Sequence, residues 1–224
     1  MHVDALISGG RTSMEVTLNF DFKLNRSQVF QALKSYGEIL EEREIKSLYN
    51  LLLPTVYETA EPVGVFSIEK NDNSSLYKII ENYSHIIYCI ISLGDNCSKK
   101  INEFFSYGNM KKGMVMDAMF TSYLFETSSQ LFNHIYSKSK ELNLGLSCRI
   151  SPGDGELPLK YQKNILEKLD AEKFLNLTVT EGFMLSSSYS MAYIYGADEN
   201  LPLSKKDHDC SRCPNRDLCT MKNL

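Results

Sequence analysis

Nine consecutive residues near the middle of the chain, His85-Ile86-Ile87-Tyr88-Cys89-Ile90-Ile91-Ser92-Leu93, are almost wholly apolar, and they constrain the fold more than any other stretch. At that length the run reads as a strand. Lacking alternation, it has no face to offer to water and should lie buried on both sides. His85 and Cys89 inside it read as core or strand-edge residues rather than ligands. A chain of 224 residues with 43% hydrophobic content can bury such a strand within one large domain or two closely packed halves.

The flanking sequence supplies helices and further strands. Residues 14–22 alternate apolar and polar, the pattern of a half-buried strand. Asn25 or Ser27 can cap a helix whose face is Val29, Phe30, Leu33 and Tyr36 and which Gly37 stops. A second helix is expected over 40–53, ending before Pro54, with a polar loop over 71–75 and a short helix over 76–83. Gly94 turns the chain into a helix through Ile101, Phe104 and Phe105, and residues 113–137 carry the longest helical pattern. Pro158 suits a first helical turn, followed by an apolar face of Leu159, Ile165, Leu166 and Leu169. Residues 175–180 and 190–195 alternate across a serine-rich connection and are expected to pair as an antiparallel hairpin. Helices interspersed with strands that can pair directly favour an α+β fold, a mixed or antiparallel sheet with flanking helices. The expected organisation is an N-terminal strand and lead-in over 1–24, a main domain over 25–203 and a cysteine-rich tail over 204–224.

Chemistry concentrates in residues 149–158, Arg-Ile-Ser-Pro-Gly-Asp-Gly-Glu-Leu-Pro. Two prolines and two glycines prevent this stretch from running on as helix or central strand, so it is a shaped loop. Gly153 and Gly155 allow backbone to approach a ligand, and Arg149 offers a planar fork to a carboxylate or phosphate; the plainer reading is a tight surface turn. Glu126 stands among aromatic and apolar neighbours in the long helix, either solvated or pointed into a site. The net charge of −4 gives no electrostatic reason to expect nucleic acid. No apolar run has the length of a membrane span and residues 1–11 lack an apolar signal core, so a cytoplasmic location is expected.

Several linked segments, in order, resemble the AdoMet-binding activation (reactivation) domain of cobalamin-dependent methionine synthase, and more closely its small stand-alone relatives. They are Ser92-Leu93-Gly94 after the apolar strand, Asp117-Ala118 and Glu126 in the long helix, and Arg149-x-x-Pro152-Gly153 with Pro158. Leu169-Asp170-x-Glu172-Lys173, Leu177-x-Val179-Thr180-Glu181 and the 190–195 strand complete the set. The resemblance spans roughly residues 25 to 200 and is strongest over 149–195. It implies an activator that presents S-adenosyl-L-methionine to cob(II)alamin while a one-electron reductase supplies the electron, the activation component of a methyltransferase of methionine biosynthesis. Such a protein needs few acids or bases of its own; it must position the methyl group and exclude water. By the same resemblance Arg149 binds the AdoMet carboxylate, Gly153 and the backbone after it lie along the ligand, Tyr195 contacts it, and Glu126 meets a polar or cationic part. The family pattern has tyrosine after the glycine where this chain has Asp154, which exchanges an aromatic surface for a carboxylate. The chain has no Asp-x-His-x-x-Gly cobalamin-carrier signature, so the corrinoid is expected on a partner protein.

The last segment reads separately. Cys210, Cys213 and Cys219 form a C-x2-C unit with a third cysteine after five intervening residues, in a tail too polar to need buried thiols. Thiolates at this spacing suit zinc or an iron-sulfur cluster, with His208, Cys148 or an exogenous ligand as the fourth, against the plainer reading of three free surface thiols. Two other functions are compatible with these residues. One is a non-catalytic module that docks on a corrinoid protein without AdoMet, and the other is a small iron-sulfur electron carrier organised around the tail.

Overall fold

The computed structural model describes residues 14–17, 19–34, 41–72, 77–203 and 207. Its frame is a five-stranded sheet in the order β1-β2-β3-β5-β4, formed by β1 (Met14–Thr17), β2 (Val63–Lys70), β3 (His85–Ser92), β4 (Gly145–Leu146) and β5 (Ser190–Asp198). All pairings are antiparallel. The fold is α+β with flanking helices. The apolar run is the central strand β3, buried from Ile86 to Ser92 as its lack of alternation requires.

Strand alternation sorts the side chains into two cores. Phe66, Ile68, Ile87, Cys89, Ile91, Tyr193 and Tyr195 face one layer of helices, α1 (Arg26–Lys34), α2 (Glu42–Thr59), α4 (Asn96–Ser106) and α5 (Met110–Glu141). Val65, Ile86, Tyr88, Ile90, Ala192 and Ile194 face the other, built from α3 (Lys78–Glu81), α6 (Tyr161–Lys168) and α7 (Ala171–Leu175). The 32-residue α5 is the largest single cover, with Val115, Met116, Met119, Phe120, Leu131 and Ile135 essentially without exposure.

The structure corrects three sequence expectations. The strand expected over 14–22 is a strand only to Thr17; Phe22 instead stacks edge-on against Tyr57 and Tyr123, and Asp21 exchanges hydrogen bonds with Gln130 of α5. Packing against helices has displaced strand pairing there. The helix expected to end before Pro54 runs to Thr59 with Pro54 inside it. Ile45, Tyr49, Leu52 and Val56 continue one buried stripe across the proline, while Pro54 and Asn50, whose carbonyl loses a donor, are exposed. The two late segments do not pair with each other. Residues 178–186 fold on themselves, Ser186 donating to the Thr178 carbonyl at 2.9 Å and Val179 bridging Leu185, whereas β5 inserts between β3 and β4. The first helix begins where Asn25 caps it, its side chain accepting from the Gln28 amide at 3.3 Å; Tyr36 and Gly37 lie outside the described residues. Pro158 stands in a turn that leads into α6, its carbonyl accepting from Tyr161.

Candidate functional site

Residues 147–150 bring Arg149 against β5. Ser147 exchanges bonds with Gly196, its Oγ accepting from the Gly196 amide at 2.9 Å, and Ile150 pairs with Ile194 in both directions at 2.9 Å. Between these fixed points the Arg149 side chain turns inward, toward the space between sheet and α5, and only 11% of it stays exposed. Its guanidinium lies 5.1 Å over the Tyr193 ring and donates to Ser128 Oγ of α5 at 3.0 Å. Ser128 Oγ is also 3.0 Å from the Tyr193 hydroxyl, so cation, hydroxyl and phenol form one connected group.

A carboxylate completes the group. Asp207 Oδ2 stands 3.5 Å from Arg149 Nη1, its Oδ1 accepts from the Tyr195 hydroxyl, and its backbone carbonyl accepts from the Arg149 amide at 2.8 Å. Burial alone would lower the pKa of Arg149, but Asp207, Tyr193, Tyr195 and Cys89 together raise it, so the guanidinium keeps its charge. The Tyr193 and Tyr195 hydroxyls are raised first by burial and remain neutral. Cys89, paired with Tyr193 in the β3–β5 register, is likewise pushed up by burial and then by Asp207, which keeps it a thiol rather than a nucleophile.

The loop that follows is anchored at both ends. Gly153 donates to the Leu157 carbonyl at 2.8 Å, Asp154 donates to Ser151 at 3.0 Å, and Leu157 is fully buried. Gly153 has φ +92° and Gly155 φ +79°, conformations that favour glycine, and residues 153–156 are exposed between the anchors. Arg149 and Tyr195 therefore meet, through Asp207, while Gly153 and Asp154 form the exposed rim of the adjoining loop. Glu126 lies elsewhere. At about 100° per residue it is turned some 200° from Ser128. It shares a stripe with Ser122 and Gln130, which bond to residues Asn25 and Asp21. Asp117, on the Ser128 face, accepts from the Tyr189 hydroxyl at 2.5 Å.

Sequence reading missed Ser128, Tyr193 and Asp207. Tyr193 had a signal, since it shares a strand face with Tyr195; Ser128 and Asp207 had none, being ordinary polar residues until the fold brings them to Arg149. Cys210, Cys213, Cys219 and His208 lie outside the described residues. Among the described residues no cluster of three or more histidine, cysteine or acidic side chains is arranged to hold a metal, and no helix is long and apolar enough to cross a membrane.

Comparison with solved structures gives an informative match. The crystal structure of the MetH reactivation domain bound to AdoHcy superimposes with a TM-score of 0.58, over 75% of this chain and 69% of that one. The chain shares that domain's fold. Identity is 13%, so the likeness is one of architecture. No family model and no curated protein sequence matches the chain.

Proposed function

We propose that the chain binds AdoMet at the Arg149 edge of the sheet and supports reductive methylation of cob(II)alamin held by a partner corrinoid methyltransferase, methionine synthase above all. One observation carries this reading: in a fold shared with an AdoHcy-binding reactivation domain, the Arg149 fork holds a carboxylate beside the β5 tyrosine. The amino-acid end of AdoMet bears the same group, so the residues present fit it. Gly153 and Gly155 allow the loop backbone to lie close along a ligand, and the exposed Asp154 offers a negative charge to its sulfonium or ammonium. When bound, AdoMet supplies an electrophilic methyl group, and a one-electron reductase supplies the reducing equivalent. The protein's share is to fix the carboxylate, orient the ligand along the loop and keep water from the reacting end.

The test is direct. Purified protein, a cob(II)alamin-loaded corrinoid partner, AdoMet and a reductant should yield the methylcobalamin spectrum; absence of methylcobalamin, with no heat of AdoHcy binding by calorimetry, overturns the reading. A second reading has an observation in its favour. Asp207 already fills the place of a ligand carboxylate, as a docking module that has lost AdoMet would allow, and calorimetry separates the two. For the tail, the cysteine spacing supports zinc or an iron-sulfur cluster at Cys210, Cys213 and Cys219. Protein purified anaerobically without iron or zinc would remove that part of the proposal.

A further inference from the structure

We propose that Asp207 is a built-in pseudo-ligand, a side chain that occupies a carboxylate seat at Arg149 and must leave it before the carboxylate of a bound small molecule can enter. The inference rests on the reading of Arg149 as the residue that receives a ligand carboxylate, and it adds a regulatory contact to that site. The seat is complete without any foreign group: one carboxylate oxygen meets the guanidinium, the other meets the Tyr195 hydroxyl, and the Arg149 amide is capped by the Asp207 carbonyl. A free amino-acid carboxylate has two oxygens for the same two donors, so it and Asp207 exclude each other.

The approach of this part of the chain is built into the fold. Leu146 of β4 donates to the Pro202 carbonyl at 3.3 Å, and Leu203 packs against the α5-side core. Gly145 makes room for the crossing: a Cβ there would stand 1.9 Å from the Leu201 carbonyl oxygen. Position 145 thus accepts only glycine while this segment is docked. Asp207 itself remains 19% exposed, against 11% for Arg149, so it is the outer member of the pair and the one that can be exchanged from solvent.

Two variants and two probes test the proposal. Asp207→Ala empties the seat, and Asp207→Asn keeps its shape and one acceptor oxygen but not its charge. Sodium acetate, compared with chloride at equal ionic strength, should raise the melting temperature of Asp207→Ala but not of the wild type. AdoHcy should bind Asp207→Asn about tenfold more tightly than the wild type, the factor expected where the wild-type seat is open about a tenth of the time. Acetate rescue without AdoHcy binding to any form keeps the pseudo-ligand and discards the AdoMet reading. Equal response of Asp207→Ala and wild type to acetate overturns the proposal, as does AdoHcy binding that is measurable and of equal affinity in wild type and Asp207→Asn. Should Asp207→Ala fail to fold, Asp207→Ser takes its place in the acetate comparison, and a response equal to that of the wild type overturns the proposal.

Discussion

The two faces of the sheet carry the same small device in different surroundings. On the α5 face Arg149 lies over Tyr193 and pairs with Asp207; on the α6 face Lys168 lies 5.7 Å over Tyr88 and pairs with Glu69 at 2.8 Å. Each is a cation held between a strand tyrosine and a carboxylate. The covers differ. A 32-residue helix closes the first face, and the Arg149–Asp207 side chains are 11% and 19% exposed. The second is covered by short helices, of which α6 with eight residues is the longest, and they leave an open cleft of about 480 Å³ lined by Tyr77, Tyr88 and Tyr161 among others, and the Lys168 side chain is 41% exposed. The shorter Lys168–Glu69 distance does not make it the stronger pair. Water competes for that pair and screens it, whereas removing one partner of the buried pair strands a charge that no other acidic side chain among the described residues pairs with.

The largest expected effect follows from that contrast. Asp207→Ala should lower unfolding stability by about 3 kcal/mol, because it leaves Arg149 buried and unpaired. A double variant, Arg149→Met with Asp207→Leu, should recover most of the loss, since apolar side chains replace both charges. Urea denaturation of the three proteins checks this; a single variant as stable as wild type would show that the buried pair is worth no more than the open one. The open pair should give a smaller number. Lys168→Ala is expected to cost about 0.5–1 kcal/mol, discounted for its exposure, and the cost should shrink at high salt as that of Asp207→Ala does not. Equal salt sensitivity of the two would break the comparison.

The smallest effect concerns a carboxylate held by hydrogen bonds. Asp198, at the end of β5, accepts from the Asn200 amide and side chain at 2.9 Å and from the Ser84 amide at 3.1 Å. These bonds, the Asn200 amide foremost, lower its pKa from 3.8 to about 2. A depressed acid stabilises the fold above its unfolded value and loses that contribution as pH falls through its folded one, so the window lies between about 4 and 2. Asp198→Asn should flatten acid unfolding within that window and lower stability slightly at neutral pH, where the ionised side chain makes its full contribution. An unaltered acid profile would mean that these hydrogen bonds do not favour the ionised form.

What could be read from the residues follows the range of the forces involved. β3 was legible because an unbroken apolar run has few alternatives, and α5 because its apolar spacing persists over many turns. Pro54 misled because local propensity says stop while the stripe from Ile45 to Val56 gains more from burial than one hydrogen bond costs. The late hairpin misled because alternation says strand without naming the partner, and β3 offers Ser190–Asp198 a longer, fully buried edge than residues 175–180 do. In the site, loop composition and the family pattern pointed to Arg149. Asp207 was invisible, since a carboxylate in the polar run Lys205-Lys206-Asp207-His208-Asp209 looks like any solvated charge until the chain returns to β4. β4 itself has two residues, too few for any periodic signal.

The contacts that Tyr189, just before β5, and Tyr193, within it, make with α5 act as a vernier. Asp117 and Ser128 are about 16 Å apart along the helix at 1.5 Å per residue, while Tyr189 and Tyr193 are about 13 Å apart at the spacing of extended chain. The mismatch is small enough for two phenol side chains to absorb by leaning, so both hydroxyls reach their partners at one setting of helix against strand. A slip of α5 by one turn, about 5.4 Å, would break both contacts together and carry Ser128 away from Arg149. The axial position of the long helix and the integrity of the Arg149 cluster are therefore a single mechanical variable, and any partner that pushes on the exposed end of α5 pushes on the seat as well.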